Sequence, residues 1–238
     1  MSLTNNIKVI YYFCYSMIWK MASSTEENYL KALLKLSSEN GQCTVSDLSK
    51  MLEISTPTAN SMIKKLAEKK WISYEKYKPI HLTTLGRKMA ALVIRKHRLT
   101  EMFLVERMGF GWEEVHVIAE QIEHIKSEKF FDRMDDMLGH PSIDPHGSPI
   151  PNKEGAIIEK SYARLSEVEI GKKYRFVSLD QSSAEFLLFL NRRDIHLGMT
   201  INVISIESFD GSLVISYEQH PKETMSLTVC ERLLVEEI

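Results

Sequence analysis

Cysteine is scarce and poorly placed for chemistry. Three occur in 238 residues, Cys14, Cys43 and Cys230, and no two form a C-x-x-C pair. That argues against a disulfide framework and a thiolate zinc site, and it fits a reducing cytoplasm. A long apolar run is missing too. The stretch IKVIYYFCYSMIW, Ile7–Trp19, covers about 13 residues and is followed by no small-residue cleavage site. It is shorter than the roughly 18 residues that cross a bilayer, so neither a membrane span nor a signal peptide is expected. There is no Gly-rich phosphate loop, no H-E-x-x-H and no nucleophile motif, which leaves no obvious small-molecule substrate or enzyme activity. What remains is 44% hydrophobic and 26% charged residues, an ordinary globular composition rather than a disordered one.

The net charge of -2 hides an asymmetry. Residues 21–100 carry 14 Lys/Arg against 7 Asp/Glu, and residues 101–238 carry 14 against 25. A basic front on an acidic remainder suits an anionic partner, with nucleic acid first in line, although a solvated basic face has the same signature. Met21 precedes ASSTEENYL and reads as a natural start. Residues 1–20 are therefore expected to be a start-site extension or an appended segment.

STEENYLKALLKLSSENG predicts a helix capped by Ser24 or Thr25 and ended by Gly41. TVSDLSKMLEIS predicts a second, short helix. STPTANSMIKKLAEKKWI predicts a third, capped by Ser55 or Thr56, with Pro57 in its first turn. WISYEKYKPIHLT alternates like a hairpin with its tip near Tyr77–Pro79. Helix, short helix, capped helix and basic hairpin make a winged helix-turn-helix. Ser55, Thr56, Pro57, Thr58, Asn60, Ser61, Lys64 and Lys65 then face DNA, joined by Lys76 and Lys78 of the wing. Small polar groups approach base edges and lysines neutralise phosphates.

Two long helices are expected next, one from Thr83 or Thr84 to Gly109 and one from Trp112 to Gly139. Ile118, Ile122, Ile125, Phe130, Phe131, Met134 and Met137 supply an apolar surface suited to a homodimer, since two-fold operators need a two-fold protein. The remainder, after a proline-rich loop, alternates like strands. It has a D-G turn at 209–212 and an inserted helix in SSAEFLLFLNRRD, which predicts a small β-barrel.

The segment VHVIAEQIEHI, read as one helix, places His116, Glu120, Glu123 and His124 on a single face. RKHRLTEMF upstream adds His97 and Glu101 at i, i+4. Six nitrogen and oxygen ligands without a thiolate suit Mn(II) or Fe(II), in one or two sites. Zn(II) would bind as well by affinity order. A His or Glu on such helices is usually just surface, but two ligand pairs on consecutive helices are harder to dismiss.

The segments STEENYL, STPTANSMIKKL, LTTLGRKMA, RKHRLTE, VHVIAEQIEHI and PHGSPIPN resemble the diphtheria-toxin-repressor/manganese-transport-regulator family over about residues 22–238. The resemblance implies a mainly α N-terminal part, made of a winged helix-turn-helix and a helical dimerisation domain. An SH3-like barrel of the ferrous-transport-protein-A type follows. It implies domains at 21–84, 85–152 and 163–238, with a linker at 153–162. It implies a cytoplasmic homodimeric repressor that binds a palindromic operator in front of metal-uptake genes when Mn(II) or Fe(II) fills two sites. By position, His97, Glu101 and His116 resemble the ancillary site, to which Asp180 or Gln181 would add oxygen. Glu120, Glu123 and His124 resemble the primary site, Glu120 being of the manganese type. Arg98 and Ser148 align with an anion site. Two positions depart from the pattern. Asn28 stands where the first helix usually gives Met or Asp, and Lys31 where the manganese type has another glutamate. Two rival readings stay open, a winged-helix sensor of an organic ligand and a metal-dependent hydrolase.

Overall fold

The computed structural model describes residues 22–158 and 160–238; the expected extension at residues 1–20 lies outside them. The chain divides into two units. One takes residues up to His97 with Glu120–Arg133 and Pro151–Ile157, and the other takes Arg98–Ala119, Met134–Ile150 and Ile158–Ile238.

In the first unit, helix α1 spans Ser24–Asn40. Its cap is Ser23, one residue before the expected Ser24. The Ser23 hydroxyl accepts from the Glu26 N–H, and the Glu26 carboxylate accepts from the Ser23 N–H, which satisfies two orphan donors. Gly41 ends the helix at φ 67°, a left-handed conformation open to glycine. Helix α2 (Val45–Met51) is capped reciprocally by Thr44 and Asp47, and α3 (Thr56–Glu68) by Ser55 with Pro57 in its first turn. The wing pairs β1 (Ile72–Ser73) with β2 (His81–Leu82). A further bridge from Cys43 to Ile80 fastens it beside α2. Leu30, Leu33, Leu48, Ile63, Leu66 and Met89 fill the core.

Helix α4 (Thr84–Met108) begins here, with the Thr83 hydroxyl accepting from the Gly86 N–H. A Cβ at Gly86 would stand 1.9 Å from the Trp71 carbonyl oxygen, so glycine is what lets α4 start so close to the wing. The single helix expected from Trp112 to Gly139 is two: α5 (Val115–Ile122) and α6 (Glu128–Leu138). The Ser127 hydroxyl accepts from the Phe130 N–H, so a cap restarts the helix after a break at 123–127.

The second unit holds six antiparallel strands in the order β3-β8-β4-β5-β6-β7. They are β3 (Ala163–Arg164), β4 (Lys173–Leu179), β5 (Thr200–Ile206), β6 (Leu213–Tyr217), β7 (His220–Met225) and β8 (Leu233–Glu237). Helix α7 (Ala184–Asn191), capped by Ser183, packs Leu187 and Leu190 against Phe176, Ile201 and Ile215. This is the SH3-like domain expected after the helical part. The loop 139–150 lies along β4: the Ser178 hydroxyl and the Leu179 N–H donate to the His146 carbonyl. Gly147, at φ 86°, has room for no side chain, because a Cβ would meet the Val177 oxygen at 2.2 Å. Among the described residues, no helix is long and apolar enough to cross a membrane.

Candidate metal centres and nucleic-acid interface

Helix α3 presents Ser55, Thr56, Pro57, Thr58, Ser61, Lys64 and Lys65 to solvent. Ala59, Ile63 and Leu66 are buried on its other face. The cap also orders the tip, with the Ser55 and Thr58 hydroxyls 2.7 Å apart. Asn60 is half-buried and accepts from the Tyr74 hydroxyl of the wing. Two lysines expected to face phosphate have carboxylates of their own. Lys65 lies 3.1 Å from the buried Glu26, and Lys78 pairs with Glu75 across the wing turn. Lys76 lies over the ring of the exposed Tyr77.

In the first unit, His97, Glu120 and Glu123 come together. The break after α5 makes this possible, since Glu123 and His124 leave the helical face that sequence spacing assigned them. Glu123 is fully buried; its Oε2 lies 2.6 Å from His97 Nδ1, and its Oε1 accepts from Lys31 at 2.8 Å. Burial alone would raise the Glu123 carboxyl, but His97 and Lys31 outweigh it and hold it below the usual carboxylate range. Lys31 also donates to Glu120 Oε1 at 2.6 Å. His124 turns to Glu27, 2.7 Å away, and Lys126 donates to the same carboxylate. Asn28 Oδ1 is buried with no hydrogen-bond partner among the described residues.

In the second unit, Glu101 of α4 meets Asp144 and His146 of the loop. His116 of α5 joins them with Nδ1 3.3 Å from Glu101 Oε1. The His146 ring stacks on Trp112, and its Nε2 donates to the Trp112 carbonyl at 2.9 Å. In the neutral ring that leaves the lone pair on Nδ1, which faces Glu101 Oε2 at 3.7 Å and Asp144 Oδ1 at 4.0 Å. A lone pair aimed at two carboxylates is repulsive unless a proton or a cation lies between. Burial pulls the His146 pKa down, but Glu101 and Asp144 outweigh it and raise it. Asp144 is raised by burial and by Glu101, against Arg98. A cleft of about 120 Å³ lined by Trp112, His116, His146, Ser182, Ser183 and Leu187 opens onto this cluster.

Of the expected ancillary residues, His97 Nδ1 lies 2.6 Å from Glu123 Oε2, and His116 Nδ1 lies 3.3 Å from Glu101 Oε1. Asp180 pairs with Arg164 at 3.0 Å, and Gln181 is exposed. Arg98, aligned with an anion site, is directed at Asp144 with its Nε 3.3 Å away, and it also donates to the Pro149 carbonyl. The Ser148 N–H donates to Asp144 as well, so the anion beside these two residues is the chain's own. Sequence reasoning missed Glu27, Asp144 and His146. Glu27 reads as a first-turn acid of α1, and the loop ligands follow no helical period. The available signal was the D-x-H of IDPHG between prolines.

Two family models match the chain in succession. The family model described as the iron dependent repressor, N-terminal DNA binding domain, matches residues 21–80. The model for the iron dependent repressor metal binding and dimerisation domain matches residues 83–152. The iron-dependent repressor IdeR of Mycobacterium leprae is 36% identical over 127 residues, 53% of this chain and 55% of that protein. The chain therefore matches only about half of that relative's length. The HTH-type transcriptional regulator MntR of Geobacillus kaustophilus is 31% identical over 118 residues, half of this chain and 83% of that protein. A manganese-dependent transcriptional repressor solved with manganese superposes with TM-score 0.80 at 26% identity, covering 89% of this chain and 99% of that one.

Proposed function

The chain belongs to the diphtheria-toxin-repressor/manganese-transport-regulator family of metal-dependent transcriptional repressors, which are not enzymes, and from that premise we propose a cytoplasmic homodimer that binds a palindromic operator when Mn(II) or Fe(II) is abundant. Residues 21–84 bind DNA, 85–152 hold metal and the dimer contact, and 163–238 form the barrel domain after a linker at 153–162. The genes controlled are those of metal uptake.

The observation that carries this reading is the His146 ring. Its Nε2 is committed to a backbone carbonyl, and its Nδ1 faces two buried carboxylates. Metal-binding histidines are commonly held this way, with the second nitrogen tied to a carbonyl. Glu101, Asp144, His146 and His116 fit a divalent ion in charge and in donor type. Two carboxylates are set against one guanidinium, Arg98, and the cluster holds no thiolate. Oxygen and imidazole donors suit Mn(II) and Fe(II), and Zn(II) would follow by affinity order. Glu101, His116, Asp144 and His146 would hold the ion, which would supply positive charge among α4, α5 and the 139–150 loop. His97, Glu120, Glu123 and His124, with Asn28, are the ligand candidates of the first unit. Thr58, Asn60, Ser61 and Lys64 of α3 read the operator, flanked by Ser55, Thr56, Pro57 and Lys65, with Lys76 and Lys78 on the wing.

The mechanism is linkage. Metal that prefers the DNA-competent arrangement raises operator affinity by the factor by which operator raises metal affinity, about 5- to 150-fold for one coupled site. Duplexes selected from a random pool in Mn(II) should lose affinity by that order when the metal is chelated, as read by fluorescence anisotropy. Equal affinity with and without metal would overturn the proposal. Metal binding that ignores DNA would favour a hydrolase, and DNA binding without any metal response would favour an organic-ligand sensor.

A further inference from the structure

The two clusters differ in charge. In the second unit, the carboxylates of Glu101 and Asp144 flank the His146 ring, and the Arg98 guanidinium lies 3.3 Å from Asp144. In the first unit, the carboxylates of Glu27, Glu120 and Glu123 are met by ammonium groups within the chain. Lys31 bridges Glu120 and Glu123, and Lys126 holds Glu27. The buried Lys96 lies in the field of Glu27 and Glu123 while its ammonium donates to the Ile125 carbonyl. Both oxygens of the fully buried Glu123 are engaged, one by Lys31 and one by His97. The Lys31 nitrogen stands 2.6 and 2.8 Å from its two carboxylate oxygens, where a divalent ion shared by Glu120 and Glu123 would have to sit. With the ammonium in place these residues do not fit a dication. Asn28 Oδ1 is buried and without a hydrogen-bond partner among the described residues.

We propose that Lys31 is a built-in cation that occupies the Glu120–Glu123 position, so that the first-unit cluster holds its charge and geometry without metal and is a latent site, while the second-unit cluster takes the ion. Metal enters the first cluster only in the fraction of molecules whose ammonium has swung away, and its apparent affinity falls by that fraction. The assignment of the second cluster rests on the function proposed above; the role of Lys31 does not.

The test is Mn(II) stoichiometry on the full chain, by calorimetry and by the loss of the free Mn(II) EPR signal. Wild type should bind one ion per chain, and Glu101→Gln with Asp144→Asn should remove it. Lys31→Gln and Lys31→Met should each bind two, the new ion on the order of 10- to 100-fold tighter than any weak first-cluster binding in wild type. That ion should vanish when Glu123→Gln is added. Lys31→Arg keeps the charge and should stay at one. Melting gives an independent readout: Lys31→Gln should lower the metal-free Tm, and Mn(II) should restore it, because one cation replaces the other. Wild type binding two ions, one of them lost in Glu123→Gln, would overturn the proposal. So would a Lys31→Gln variant whose stoichiometry and metal-free Tm match wild type. If wild type bound none and Lys31→Gln bound one, the role of Lys31 would stand and the second-cluster assignment would fall.

Discussion

A buried thiol and a buried imidazole show how differently single residues respond to the same interior. Burial pushes the Cys43 thiol up to about 11, with Asp47 adding to it, and the Cys230 thiol up to about 12. The thiolate is the reactive and metal-binding form, so both groups are held in the inert state at neutral pH. His146 is also buried, yet its pKa moves up because carboxylates surround it. The scarcity of cysteine noted in the sequence thus has a structural counterpart: neither described thiol belongs to either cluster. In a Cys14→Ser chain only Cys43 and Cys230 remain. Iodoacetamide at pH 8 should then add nothing to the folded protein within minutes, and two groups after denaturation, as read by intact mass. Rapid labelling in the folded state would contradict the burial.

At the scale of the element, Glu26 shows how one helix end is fixed. It closes the capping box of α1 and accepts from Lys69 at 2.6 Å, with Lys65 at 3.1 Å. Burial works to raise this carboxyl, but Lys69, the Ser23 N–H and Lys65 outweigh it and bring it from 4.5 to about 2. A carboxylate depressed on folding stabilises fully above its unfolded value, and the contribution is lost as pH falls from 4.5 through about 2. Glu26→Gln should therefore cost about 1–3 kcal/mol at pH 7 by urea unfolding. The difference from wild type should shrink to roughly half at pH 3. An equal loss at both pH values would mean that only the cap geometry matters. The cap of α3 was legible because Ser55 stands before Pro57 and a clean apolar stripe, while the cap of α1, expected at Ser24 or Thr25, lies at Ser23. The break after Ile122 was not legible, because the apolar period of Ile118, Ile122 and Ile125 runs straight across it while Ser127 starts a new helix. That break decides how the ligands meet: Glu123 joins His97 and Glu120, and His124, its Nε2 3.6 Å from Glu123, turns its Nδ1 to Glu27. Asp144 and His146 were missed for another reason: loop ligands are gathered by tertiary docking on β4, which leaves no period in the sequence, only the D-x-H of IDPHG.

At the scale of the whole molecule, charge and metal act on one equilibrium. The excess of Lys and Arg in residues 21–100 was the first sign of an anionic partner, but the structure divides those lysines. Lys65 faces Glu26 and Lys78 faces Glu75, whereas Lys64 stands exposed on α3 beside Ser61. Lys64 is then the better candidate for a phosphate, and Thr58 and Ser61 for base edges. Lys64→Ala should weaken binding to selected and unrelated duplexes alike and lower the slope of log K against log salt by about 1. Ser61→Ala should instead cost about 1–3 kcal/mol on the selected duplex and little on an unrelated one. Neither substitution touches Glu101, Asp144 or His146, so Mn(II) affinity without DNA should match wild type by calorimetry. Reciprocity makes the last comparison the sharpest. The factor by which Mn(II) strengthens operator binding must equal the factor by which operator strengthens Mn(II) binding, and a phosphate contact made equally in both arrangements changes neither. Lys64→Ala should leave that factor intact, lowering operator affinity equally with and without Mn(II) and leaving Mn(II) affinity in the complex as in wild type. If metal affinity fell in the absence of DNA as well, α3 would be part of the metal response rather than the surface that reads the operator.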